Sequence, residues 1–232
     1  MLVTRFMEKK ELSIAEDCIE SVTEILTKMQ KVGKDFSSAF YEMIDSFFNL
    51  FLISNLAKYG FDYKAAFLDY KKSNYDFYLA LTLWFLAIED ASSRNITLDF
   101  FGETYERYAQ SAGKAKQYQQ YFTPRCVADL TAALNETSKT VNDPACGSGR
   151  LLLAHHQAAK KTQLIYYLGE DLDGASCKMC ALNMMANKMH GQVCNIDTLL
   201  NKFIWGVNVN EGMFPFFTDA PTLRLIKEDE RR

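Results

Sequence analysis

The residues best suited to chemistry in this chain are a glycine turn and three acids. Asp143-Pro144-Ala145-Cys146-Gly147-Ser148-Gly149-Arg150 reads as a strand end, a tight turn and a helix start. Gly147 and Gly149 let the backbone bend with no Cβ in the way. The helix that follows offers its first N–H groups to whatever lies over the turn. Such a turn can hold a small ligand against bare backbone. Many strand–helix turns need glycine for geometry alone, so the flanking pattern has to decide. Asp171 and Asp197 close the next two strand-like runs, and parallel sheets bind ligands at the carboxyl ends of their strands. Singly, each acid reads equally well as a cap or turn residue; together with Asp143 they point to one binding edge.

The elements that must position these residues alternate from about residue 139 onward. Strands are expected over 139–143, 164–170 and 192–196, with helices over 149–160 and 174–188 between them. That alternation is the signature of a parallel sheet with crossover helices, an α/β class. His190-Gly191 reads as a turn before the third strand, and His155 and His156 receive no role. Upstream, apolar residues recur at three- and four-residue steps over 12–32, 36–59, 61–71 and 75–91, which predicts amphipathic helices. The apolar run Leu79 to Ile88 is too short to cross a membrane, which needs about 20 residues. Residues 103–120 read as a polar helix carrying Arg107, Lys114 and Lys116, either a solvated linker or a phosphate-facing stretch. Pro124 is expected to open a helix to about Leu134, with Thr123 as its N-cap. The organisation expected is a helical bundle over 1–110 and an α/β domain over 111–232.

The net charge of −3 supplies no global basic field, so nucleic-acid binding would need a local patch or a partner. Cys177-Lys178-Met179-Cys180 has no second cysteine pair or histidine pair to complete a zinc set, so these thiols are read as structural. The opening Met1 to Met7 is too short and too soon charged for a secretory leader, and six cysteines then suggest a reducing cytoplasm.

Five blocks carry a family resemblance. Asp143-Pro144-Ala145-Cys146-Gly147-Ser148-Gly149-Arg150 resembles the cofactor loop of the N6-adenine DNA methyltransferases, above all the methylase subunits of type I restriction–modification systems. Tyr121-Phe122-Thr123-Pro124 resembles the Phe-Thr-Pro segment that precedes that loop. Gly169-Glu170-Asp171-Leu172-Asp173 and Ile196-Asp197-Thr198-Leu199 are similar to the acidic ends of the family's second and third strands. Asp99-Phe100-Phe101-Gly102-Glu103-Thr104-Tyr105-Glu106 is similar to the Asp-x-Leu-Gly-Glu-x-Tyr-Glu stretch closing the helical region of these subunits.

The resemblance implies a Rossmann-like domain that binds S-adenosyl-L-methionine and methylates adenine in DNA. At matched positions it implies that Ala145, Cys146, Gly147 and Gly149 face the methionine part, with Thr123 and Pro124 closing that end. Asp143 would accept from the ammonium group or order the turn, Asp171 (or Glu170, one register away) from the ribose, and Asp197 from the adenine amine, with Leu172 on the ring. DNA and a specificity or catalytic partner protein are the implied partners, with no membrane. The sequence departs from the family in one respect. No Asn/Asp-Pro-Pro-Tyr/Phe tetrapeptide follows Asp197, and Met213-Phe214-Pro215-Phe216 lacks its polar residue and second proline. No residue is therefore assigned as catalytic. With three strands expected, fewer than the family's complete sheet, two readings stay open: an incomplete methylase whose acceptor half is supplied elsewhere, or a cofactor-binding scaffold.

Overall fold

The computed structural model describes residues 13–30, 35–111, 123–135, 138–159, 165–211 and 222–232. Among them it is a mixed α/β structure with nine α-helices and a five-stranded sheet. The helices α1 (Ile14–Gln30), α2 (Phe36–Phe51), α3 (Ile53–Leu56), α4 (Tyr63–Ser73), α5 (Tyr75–Ser93) and α6 (Phe100–Ser111) come first. Residues 112–120 of the predicted polar helix, with Lys114 and Lys116, lie outside the described residues, as do Tyr121, Phe122 and Met213-Phe214-Pro215-Phe216.

Asp35 starts α2 by accepting from the Ser38 N–H at 3.0 Å, the role for which short acids suit the N-cap. The buried face of α2 is aromatic: Phe36, Phe40, Phe47, Phe48 and Phe51 all point inward. Trp84 of α5 is fully buried and stacks on Phe47 at 5.6 Å, with Phe101 of α6 tilted against it at 5.0 Å. The single helix predicted over 36–59 breaks at Leu52, which leaves helical geometry and forms a parallel bridge with Leu223 of the sheet. A distant partner, not a local breaker, ends that helix.

The sheet follows α7 (Arg125–Leu134). Its strands are β1 (Thr140–Asp143), β2 (Tyr166–Asp171), β3 (His190–Asp197), β4 (Lys202–Val209) and β5 (Leu223–Ile226), in that spatial order. The first three run parallel, joined through α8 (Arg150–Ala158) and α9 (Gly174–Ala186), as the alternating pattern predicts. The expectation of a wholly parallel, three-stranded sheet needs correction, because β4 and β5 pair antiparallel. The signal for β4 was the alternation Phe203, Trp205, Val207, Val209, whose Val207 and Val209 join the core under α2 and α9. Among the described residues β1 has one neighbour, β2, so the strand order does not reverse at β1.

His190-Gly191 is the start of β3 and not a turn. A Cβ on Gly191 would collide with the Tyr167 carbonyl on the adjacent strand, so this glycine marks close backbone approach. The C-terminal residues after β5 lie back on the sheet. The Glu230 carbonyl accepts from Gln192 at 2.9 Å, and Arg232 lies 4.5 Å over the Tyr166 ring. One continuous apolar core runs from α1 and α2 through α5 to β2, β3 and β4.

Candidate functional site

The turn between β1 and α8 is tied down by backbone and by two acids. The Ala145 N–H donates to Asp143 Oδ1 at 3.2 Å and the Cys146 N–H to the Glu170 carbonyl at 2.8 Å. Gly147 donates its N–H to Asp171 Oδ2 at 2.9 Å. Gly147 (φ 53°) and Gly149 (φ 90°) both occupy left-handed backbone, where a side chain is strained. A Cβ on Gly149 would stand 2.9 Å from Cys180 Sγ. Gly149 caps α8 without a side chain, so the helix start faces the turn with backbone alone.

Asp143, Asp171 and Asp197 are each the last residue of their strand. Their carboxylates have different work. Asp143 is buried, and its Oδ2 has no hydrogen-bond partner among the described residues. Burial pushes its carboxyl above the ordinary range; the Ala145 N–H pulls it back, and neighbouring Asp171 raises it further. Asp171 holds the Gly147 and Asp173 N–H groups, one on each oxygen. Asp197 accepts from Leu199 and Leu200 and closes its own turn. Leu172 is 66% exposed beyond the end of β2, where Asn195 holds its carbonyl at 2.8 Å. Glu170 is paired with Arg231 at 3.3 Å.

Cys146 packs beneath the turn among Cys177 and Cys180, and all three thiols are buried and free. Cys177 donates to the carbonyls of Asp171 and Cys194 at 3.4 and 3.3 Å. Among the described residues no group of three or more histidines, cysteines or acids could hold a metal ion. His155 and His156 both turn inward, each with Nδ1 near the Tyr167 hydroxyl, at 3.4 and 3.2 Å. Thr123 does not cap α7: the helix starts one residue later than expected, at Arg125, so the N-cap is Pro124, whose side chain has no hydrogen-bonding group, and the Thr123 carbonyl accepts from Arg150 Nη1 at 3.0 Å.

That contact belongs to a buried polar network whose roles the sequence reading did not assign. Asp99 is 4% exposed and receives Ser148 Oγ and Arg150 Nε on Oδ2, both at 2.7 Å. Its Oδ1 receives Asn183 Nδ2 at 2.8 Å and the Gly102 N–H at 3.0 Å. Arg150 then forks onto Glu106 at 2.8 and 3.0 Å. A Cβ on Gly102 would strike the Asp99 carboxylate, which accounts for the glycine inside α6. The block from Asp99 to Glu106 was visible in sequence, but the partners of Asp99 and Glu106 on Ser148, Arg150 and Asn183 sit 44 to 84 positions away. Glu103 lies beside this network; burial first, then Asp99, push its carboxyl up to about 6 against the pull of Arg125.

Residues 96–210 match the family described as N-6 DNA Methylase. The chain is similar to the methylase subunit of type I restriction enzyme MpnII from Mycoplasma pneumoniae (strain ATCC 29342 / M129 / Subtype 1). The identity is 34% over 119 residues, which cover 46% of this chain and 22% of that subunit. The matched part therefore spans less than a quarter of the relative's length. No solved structure matches the chain. No helix among the described residues is long and apolar enough to cross a membrane.

Proposed function

The chain belongs to the N-6 DNA methylase family through residues 96–210, and from that premise we propose that its glycine turn binds S-adenosyl-L-methionine within a Rossmann-like methyltransferase domain. The observation that carries this reading is the buried, unpartnered Oδ2 of Asp143 beside a turn whose Gly149 tolerates no Cβ. A carboxylate raised by burial, with one oxygen left without a donor, suits a ligand ammonium. The turn from Ala145 to Gly149, with the start of α8, suits the ligand carboxylate. Asp171 orders the turn through Gly147 and keeps acceptor capacity for a ribose hydroxyl. Asp197 and the exposed Leu172 would take the adenine amine and ring, with Thr123 and Pro124 on the methionine side. When bound, the cofactor supplies an electrophilic methyl group.

The acceptor proposed is the N6 amine of adenine in DNA, taken out of the helix to reach the methyl donor. The relative's designation as a type I methylase subunit supports DNA and a partner subunit as the assembly in which this occurs. The free thiols support a reducing, cytoplasmic setting. A second reading is favoured by one specific observation. The 232-residue sequence holds no Asn/Asp-Pro-Pro-Tyr/Phe tetrapeptide, the element that would receive the target base. On that reading this chain binds cofactor as a scaffold and a partner completes the acceptor side. Labelled-methyl transfer from S-adenosylmethionine to unmodified DNA separates the two. Transfer by the chain alone supports the enzyme, while cofactor binding without transfer supports the scaffold. Neither binding nor transfer contradicts both.

A further inference from the structure

We propose that Asp99 and Arg150 are positioning residues: a carboxylate and a guanidinium that set the shape of the glycine turn from the helical part of the chain. Two of the turn's own residues, Ser148 and Arg150, flank Gly149 and end on the same oxygen of Asp99. The backbone of Ser148 is held as well, because Asn183 Nδ2 bridges Asp99 and the Ser148 carbonyl at 2.8 and 3.0 Å. Ser148 and Asn183 are 1% and 0% exposed, so water does not compete for these bonds. Arg150 carries the link further, to Glu106 of α6 and to the Thr123 carbonyl ahead of α7. Four separate stretches of chain thus meet on one ion pair at the base of the turn.

The energetics favour positioning over stabilisation as its role. A buried ion pair returns little net stability, since desolvation consumes most of its attraction, whereas a carboxylate bonded on both oxygens, as Asp99 is, restricts the geometry of the groups around it. An apolar residue in place of Asp99 could fill the space between α6 and α8 but would place no bond on the Ser148 and Arg150 side chains. Inside the turn Gly149, at φ 90°, is held by its N–H on the Cys146 carbonyl at 2.7 Å; the Asp99 network adds the hold on the residues to either side of it. Because Arg150 also grips Thr123, the segment ahead of α7 and the turn keep one fixed relation. The consequence for the cofactor rests on the reading of the turn as its site; the clamp on the turn does not.

The test uses the full chain with Asp99→Asn and Arg150→Lys, the latter keeping the charge but losing the fork. Arg224→Gln, which breaks the ion pair with Glu211 away from the turn, serves as control. Amide exchange by mass spectrometry reads the peptide spanning 144–152, and calorimetry reads S-adenosylmethionine binding. Asp99→Asn and Arg150→Lys should each speed exchange in that peptide and weaken cofactor binding, both by roughly 2- to 30-fold. Peptides of α5 and β3 should keep their protection, and Arg224→Gln should change neither readout. Unchanged exchange at the turn overturns the proposal. So does exchange that rises equally in α5 and β3, which is what ordinary core stabilisers, or variants that fail to fold, would give. Faster turn exchange in a protein that binds no S-adenosylmethionine even as wild type would uphold the clamp and sink the cofactor reading instead.

Discussion

Replacing Gly149 by alanine probes the turn with a cost that can be worked out and then partly reversed. Left-handed backbone costs a non-glycine residue about 1–2 kcal/mol. The new Cβ would also stand 2.9 Å from Cys180 Sγ, and forcing one atom into a packed core costs about 1–3 kcal/mol more. The sulfur cannot step aside easily, because Cys180 is 0% exposed and its Sγ sits 3.8 Å from Met184 Sδ. Gly149→Ala should therefore destabilise the chain by roughly 2–5 kcal/mol. Cys180→Ala removes the obstructing atom, so in the double variant only the backbone strain and the small void should remain. Urea unfolding of the four proteins gives the coupling directly. The double variant should be more stable than the sum of the singles by roughly 1–3 kcal/mol. Additivity within about 0.5 kcal/mol would refute the steric argument and with it the described path of the turn.

Other outcomes follow from the same geometry. Glu103, raised to about 6 from 4.5, binds its proton more tightly folded than unfolded. Its penalty on stability is therefore present above about pH 6 and is relieved as pH falls towards 4.5. Glu103→Gln should remove up to about 2 kcal/mol of that pH dependence, read as melting temperature at pH 4.5, 5.5 and 7; an unchanged profile would contradict the burial of this carboxyl. Trp84→Ala should cost about 3–5 kcal/mol. Trp84→Phe should cost less than half as much, because Trp84 Nε1 has no hydrogen-bond partner among the described residues to forfeit. Denaturant unfolding of the two variants decides it, and equal costs would contradict the packing described.

The parts of the fold that were legible in sequence are those fixed by local periodicity. The helix expected over 75–91 and the strands expected over 139–143, 164–170 and 192–196 needed only apolar spacing and flanking turns, and are found within two residues of those bounds at Tyr75–Ser93, Thr140–Asp143, Tyr166–Asp171 and His190–Asp197. What sequence concealed depends on distant partners. Leu52 breaks its helix because Leu223 pairs with it, and Gly191 is a glycine because Tyr167 crosses beside it. β5 carries only four residues and is marked as a strand by its pairing with β4. In the candidate site, the glycines and the strand-end acids could be picked out singly. Their division of labour could not: Asp171 is engaged with the Gly147 and Asp173 N–H groups while one oxygen of Asp143 is left over, a distinction made by geometry and not by residue type. Asp99 and Arg150 lie 51 positions apart, and no spacing rule joins them.

The central claim is that this turn is a cofactor site, and titration calorimetry of the full chain with S-adenosylmethionine tests it most directly when run beside Asp171→Ala. The account predicts saturable binding at one site per chain, strongly weakened once Asp171 no longer holds the Gly147 N–H. Binding of equal strength in the variant, or no binding by the wild-type chain, would contradict it.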